Sequence, residues 1–198
     1  MAIDVAALLT SLLPALNAAS ISDADLTFWT STELYEAADE AGKWLARTAG
    51  LFVGANTLAA GGSVDAGASF IDTIFAAVNG TALREASVRE LEALDGGWET
   101  AVGTAKRYTL TGTRTLRLYP APATGSLEVI EHQLPADITS GNPTLAAATA
   151  IGGFLAVSIL GAARGKEGDA SIPEVAAHCA ERISLYGKVF EALYGGDM

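Results

Sequence analysis

The chain has 198 residues, 50% of them hydrophobic, and carries 12 Lys plus Arg against 23 Asp plus Glu, a formal charge of -11. That length suits one well-cored domain, or a domain with an elaborated arm, and argues against two independent domains. The negative charge repels phosphate and anionic lipid and disfavours a nucleic-acid binder of the usual kind, while the single cysteine, Cys179, rules out an intramolecular disulfide framework and fits a reducing compartment.

The opening "MAIDVAALLTSLLPALNAAS" has a faint signal-peptide look, but it lacks a positive n-region, carries Asp4 and is broken by Pro14. It reads as a short helix with Val5, Leu8, Leu9, Leu12 and Leu13 as its apolar residues. From residue 23 to about 49, Leu34, Ala37, Ala38, Ala41, Leu45 and Thr48 follow helical spacing, with Ser22 or Asp23 placed to cap and Gly50 to stop the helix. Glu36, Asp39 and Glu40 fall on its outer side; with no partner histidine they read as a solvated face rather than an acid-base pair.

"GANTLAAGGSVDAGAS" predicts a flexible loop or weak strands with a projecting tip. "SFIDTIFAAVNGTAL" predicts a strand ending in the Asn79-Gly80 turn signal. "REASVRELEALDGGW" predicts one or two helical turns, capped by Ser87, packed through Val88, Leu91 and Leu94, and closed by Gly96-Gly97. Three strands follow. "KRYTL" and "TRTLRLY" alternate, with Tyr108 and Leu110 on one face, Leu116 and Leu118 on another, and a turn at Thr111-Gly112; "SLEVIEH" is expected to pair back across "PAPATG" as a hairpin. Pro120, Pro122 and Pro135 cannot donate ladder hydrogen bonds, so they set the limits of that hairpin.

Residues 145–163, "LAAATAIGGFLAVSILGAA", form an uncharged run long enough to cross a bilayer, followed by Arg164 and Lys166. The run is rich in Ala, Gly, Ser and Thr, and its N-terminal flank "TSGNPT" has no anchoring charge or aromatic. Ala148, Gly152 and Ala156 recur every four residues and place small side chains on one stripe, which fits an interior or subunit-interface helix. Ile172-Pro173 then opens a last helix with Val175, Cys179, Ile183, Tyr186, Phe190 and Leu193 on one apolar stripe.

No constellation for chemistry emerges. His178 and Cys179 are neighbours on a helix and point about 100° apart, a poor arrangement for a nucleophile and its base. No zinc or calcium spacing, P-loop, nucleophile elbow or dinucleotide fingerprint is present, so neither catalysis nor a cofactor is expected. Trp29, Trp44 and Trp98 read as core or interface anchors more readily than as a ligand pocket. Half of the 12 basic residues, Arg84, Arg89, Lys106, Arg107, Arg114 and Arg117, fall in the central segment, where they read as solvated strand faces or as a local basic patch.

The order of landmarks in residues 78–135 carries a family resemblance. Leu83, Ser87, Leu91, Asp95 and Trp98 look like an "L…S…L…D…W" short helix and tryptophan. Gly103 and Tyr108 match a "G…Y" strand entry, Leu116, Leu118, Pro120 and Pro122 an "L-x-L-x-P-x-P" strand end, and Leu127, Val129 and Pro135 the return strand. Together with "FWTSTELYEAADEAGKWLAR" upstream, this resembles the head-to-tail adaptor (connector) proteins of tailed bacteriophages. The chain departs from that pattern in having Ala105 where a proline is expected and in lacking an "LP" strand entry before Asn79.

The resemblance implies a non-enzymatic structural protein of the virion, at the head-tail junction and assembled in the host cytoplasm. It implies a ring, typically of twelve copies, beneath the portal protein and above a downstream tail protein (nozzle, stopper or tail tube), with DNA passing through without sequence-specific binding and no membrane involved. The expected fold is α+β: a helical bundle from the N-terminal (1–50) and C-terminal (139–198) segments with a small antiparallel β domain, 51–138, inserted. Ala148, Gly152 and Ala156 are then candidate oligomer contacts. The loop 61–67, the hairpin tip 121–125 and the tail Tyr194, Gly195, Gly196, Asp197 and Met198 are candidate partner contacts, the tail for the portal. Two other readings compete: a small membrane-associated protein anchored by residues 145–163, and a monomeric ligand-binding module using the Trp and Tyr side chains.

Overall fold

The structure, a computed structural model, describes residues 2–26, 28–147, 151–166 and 173–194. It divides into two compact units, Met1–Leu51 with Pro135–Met198, and Phe52–Leu134. The chain is α+β, with five α-helices and mainly antiparallel sheets among the described residues.

The first unit draws on both ends of the chain. A two-residue strand β1 (Ile3–Asp4) leads into helix α1 (Val5–Leu12), whose N-cap Asp4 accepts a hydrogen bond from Ala7 N–H at 3.0 Å. Val5, Leu9 and Leu12 face inward, and Pro14 turns the chain into a 3-10 turn over Leu13–Leu16. The second helix, α2, spans Ser31–Ala49. It begins eight residues later than a cap at Ser22 or Asp23 predicts, because side chains in the preceding segment satisfy backbone and hydroxyl groups outside a helix: Asp25 accepts from the Ser20 and Ser22 hydroxyls, and Asp23 accepts from Ser31 N–H at 2.6 Å. The cap is instead Thr30, in a reciprocal capping box with Glu33. At the far end Gly50 takes a left-handed conformation, φ 56°, and closes the helix as expected.

Helices α4 (Gly152–Lys166) and α5 (Pro173–Tyr194) complete this unit and pack on each other and on α2. Their core holds Phe154, Leu155, Ile159 and Ala163 with Leu34, Ala38 and Leu45. The uncharged run does not form one helix from its first residue. It starts as strand β10 (Thr144–Leu145), paired antiparallel with β1 in the register Ile3↔Leu145, and the helix begins only at Gly152. At 15 residues α4 is shorter than the roughly 20 needed to cross a bilayer, and among the described residues no helix is long and apolar enough to do so.

The second unit contains two four-stranded sheets sharing one core. The first has the order β2 (Val53–Ala59), β9 (Ser126–Gln133), β4 (Phe70–Val78) and β5 (Thr81–Ala82). The second has the order β3 (Ser63–Asp65), β8 (Thr115–Tyr119), β7 (Arg107–Thr111) and β6 (Arg84–Glu85). Val64, Phe70, Ala76, Val78, Tyr108, Leu116, Leu118, Leu127 and Val129 meet between them. Pairing is antiparallel throughout except β6 with β7, which is parallel over two residues. The segment 54–69 thus resolves into the weak strands β2 and β3.

The expected hairpin over 117–135 is not formed. Strand β8 is flanked by β3 and β7 and strand β9 by β2 and β4, so neither has an edge left for the other. Pro120 and Pro122 do end β8, but the chain then crosses from one sheet to the other, and Ala121 bridges Val102 instead. Between β6 and β7 lies α3 (Val88–Leu94), with Ser87 and Glu90 forming a second capping box. Only Leu91 of its three expected packing residues is buried; it meets Ala86 and Trp98, whereas Val88 and Leu94 are 38% and 54% exposed, because a two-turn helix turns one narrow side to the core.

Candidate interaction surfaces

Close approach of helices is visible in the first unit at Gly161 and Gly153. A methyl group built on Gly161 would lie 3.2 Å from the Cys179 β-carbon, and one on Gly153 would lie 3.0 Å from the Tyr186 hydroxyl. The missing side chains therefore let α5 seat against α4. Of the expected stripe, Ala148 lies outside the described residues, Gly152 opens α4 with nothing within 4 Å of where a methyl group would stand, and Ala156 is half-buried. Trp44, 39% exposed, stacks on Phe154 at 5.4 Å between ring centroids, and Tyr186 meets the edge of the same ring at 5.9 Å.

Helix α5 buries Cys179 and leaves Leu185 and Val189 52% and 42% exposed, with His178, Glu181, Arg182 and Lys188 around them. His178 is exposed and Cys179, next to it on α5, is buried. The side chains of Val175, Phe190 and Leu193 lie outside the described ones; Tyr194 ends α5, and Gly195, Gly196, Asp197 and Met198 are outside the described residues.

One carboxylate read as solvated is a structural tie. Asp39 is 9% exposed; its Oδ1 accepts from Ile138 N–H at 2.9 Å and its Oδ2 contacts Lys43 Nζ at 2.6 Å. Lys43 also reaches Asp137 at 2.8 Å. The hydrogen bonds to Asp137 and Asp39 hold the Lys43 ammonium well above its usual range. These three side chains fasten the backbone that follows the β unit to α2. Glu36 and Glu40 remain exposed.

On the second unit, two of the central basic residues are held in ion pairs. Arg114 contacts Asp65 at 3.3 Å; Arg117 contacts Glu99 at 3.2 Å and lies 5.1 Å above the Trp98 ring. Arg84 and Arg107 occupy partnered positions of β6 and β7 and, after the Ser87 hydrogen bonds, help hold Glu90 below the usual carboxylate range. The outer face of the first sheet carries Val53, Ile74, Phe75 and Ile130, each at least 39% exposed, with Phe75 and Ala55 flanking Ile130 in register. Strict alternation along "SLEVIEHQ" already sends Ile130 outward once Leu127 and Val129 are assigned to the core. Of the expected contact loops, residues 61–67 divide among the β2–β3 turn, β3 itself and the start of the β3–β4 turn, while residues 123–125 are exposed in the crossing between sheets.

The same alternation places Glu131 inward, and its side chain is fully buried. Its Oε1 accepts from Asn56 Nδ2 at 2.7 Å and from Gln133 Nε2 at 3.1 Å. Burial raises its carboxyl above the usual range, and the two amides oppose that shift. Among the described residues no group of three or more His, Cys, Asp or Glu side chains is arranged to hold a metal ion.

Comparison with protein families matches residues 3–181 to the family model described as SU10 adaptor protein. A search of curated proteins finds no match.

Proposed function

The chain belongs to the SU10 adaptor protein family, which comprises phage head-to-tail adaptors, and on that basis we propose that it is a structural virion protein that forms a ring beneath the portal and joins the capsid to the tail. The family match over residues 3–181 carries this reading. In it, the N- and C-terminal helices form a bundle that packs side by side around the ring, and the β domain is inserted between them.

Three features support the assignment. Small residues at helix contacts suit tight packing within and between copies. A formal charge of -11 suits a DNA conduit, because a negative wall repels the phosphate backbone and lets it slide. Exposed apolar side chains in both units, Leu185 and Val189 in one and Phe75 and Ile130 in the other, provide surface for neighbours to cover. The ring has twelve copies, with the portal protein on one side and a nozzle, stopper or tail-tube protein on the other. Ala148, Gly152 and Ala156 lie at contacts between copies, and residues 194–198 dock on the portal.

Detergent-free affinity purification from cells producing the particle, with negative-stain imaging and mass spectrometry, tests the assignment. Rings, or the chain bound to a portal-like ring protein, are expected; a monomer with no particle protein attached contradicts it. Removing residues 194–198 is expected to weaken portal binding, and unchanged binding refutes the role of the tail.

A further inference from the structure

We infer that Glu131 is a proton-binding site built into the β unit, and that loss of its proton loosens the edge strand β2 from β9. The geometry is that of a prepared polar site inside an apolar sheet. Leu127 and Val129, on the same face of β9, enter the hydrophobic core, and the next inward position holds a carboxyl group with no exposed surface. In register with it stand Gly54 on β2 and Thr73 on β4. A β-carbon at Gly54 would displace the Gln133 amide that donates to Glu131. Asn56, two residues along β2, donates the second bond. Both amides converge on Oε1, whereas Oε2 is buried without a hydrogen-bond partner, and so is the Thr73 hydroxyl oxygen across the ladder.

A carboxylate in that position would bury half of its charge without a donor, which is costly. A carboxylic acid would place an O–H on Oε2 and leave Oε1 to the two amides. Among the described residues, the surroundings offer no cation to replace the proton. On β2 the facing residues, Gly54 and Asn56, are neutral, as is Gln133 on β9; His132 follows Glu131 directly and therefore projects from the opposite face. On β4 the facing residue is Thr73, and the neighbouring carboxylate, Asp72, accepts from Thr73 N–H at 2.7 Å and stands in register with His132. From the second sheet the titratable group in the shared core is Tyr108, whose hydroxyl is directed to Glu85 at 3.4 Å. Strand β2 lies at the edge of its sheet, so it has β9 alone to hold it.

The sign follows from linkage. A carboxyl that binds its proton more tightly in the folded protein than in the unfolded chain contributes stability in full below the ordinary glutamate range. That contribution is lost as pH rises through the raised value. In that window the folding constant of the wild type, relative to that of Glu131→Gln, falls by up to about tenfold per pH unit.

The test is a titration of the full chain labelled with 13C at the glutamate carboxyl carbons, followed by hydrogen exchange of β2 amides in the wild type and in E131Q. One glutamate resonance titrating above the others, absent in E131Q, is expected, together with a wild-type to E131Q protection ratio in residues 53–59 that falls as pH rises. No glutamate resonance titrating above the ordinary range in the wild type, or a protection ratio independent of pH, overturns the inference. Where E131Q does not fold, wild-type protection of residues 53–59 relative to that of β4 decides instead: a ratio that does not fall as pH rises overturns the inference.

Discussion

The two units of the chain are held together by different means. The β unit is one continuous stretch, Phe52–Leu134, and its core is built from cross-strand pairs of large side chains such as Leu116, Leu118, Leu127 and Val129. The helical unit joins Met1–Leu51 to Pro135–Met198, and its closure depends on three long-range ties: β1 with β10, Asp39 with Ile138, and α2 with α4 and α5. It also depends on absent side chains, at Gly153 and Gly161, as much as on present ones. A continuous unit can close as soon as its own strands are available. A unit split between the chain's ends must wait for the last helix and bears the loop-closure entropy of everything between.

That contrast can be broken most forcefully in the helical core. Phe154→Ala removes a ring that is 1% exposed and contacts both Trp44 and Tyr186; a loss of about 3–5 kcal/mol is expected. Chemical unfolding followed by Trp fluorescence checks it, and hydrogen exchange within residues 52–134 should change much less. Leu116→Ala is the reciprocal experiment in the β unit. Asp39→Ala leaves Ile138 N–H without its acceptor and Lys43 with Asp137 alone, and about 2–3 kcal/mol of the helical unit's stability should go with it. Gly161→Val sharpens the point about small residues: the added methyls meet Cys179, and a loss of about 1–3 kcal/mol in the same assay is expected despite the better helix former. Thr30→Ala removes half of a capping box and should cost about 1 kcal/mol, read as a lower thermal midpoint that Thr30→Ser restores.

The smallest effect belongs to the β core. Burial first, and then Glu85, push the Tyr108 hydroxyl up to about 12. Its contribution to stability is complete below the ordinary tyrosine range and fades as pH rises through about 12. Burial and Asp95 also raise Tyr119, so an ultraviolet titration should show a late tyrosine fraction that Tyr108→Phe reduces.

Much of this architecture is legible in the residues, and where it is not the reason is physical. Caps and stops are readable where they are local: Ser87, Gly50 and Pro173 act as their positions indicate. The start of α2 is not, because Ser22 and Asp23 are as good cap residues as Thr30, while Asp23 and Asp25 spend their oxygens on loop hydrogen bonds. Alternation identifies β7, β8 and β9 as strands and says nothing of which strand pairs with which. The prolines after β8 look like a hairpin turn until β3 and β2 are seen to occupy the edges that the hairpin would need. Asp39 and Glu131 escape the sequence for a related reason. A carboxylate is assigned to solvent by default, and its burial is set by partners distant in sequence, Ile138 in one case and Asn56 in the other. In the helices, a four-residue stripe of small side chains marks a surface that allows close approach without saying which of two adjacent glycines is used.

The assignment as a head-to-tail adaptor rests on family membership, and locating the chain in a particle tests it most directly. Particles carrying a tagged copy would be labelled with gold and imaged, with the averaged density at the labelled site examined for rotational symmetry. Label confined to the vertex where capsid meets tail, on a ring of twelve copies, is the predicted result; label spread over the capsid surface, or absent from purified particles, contradicts it.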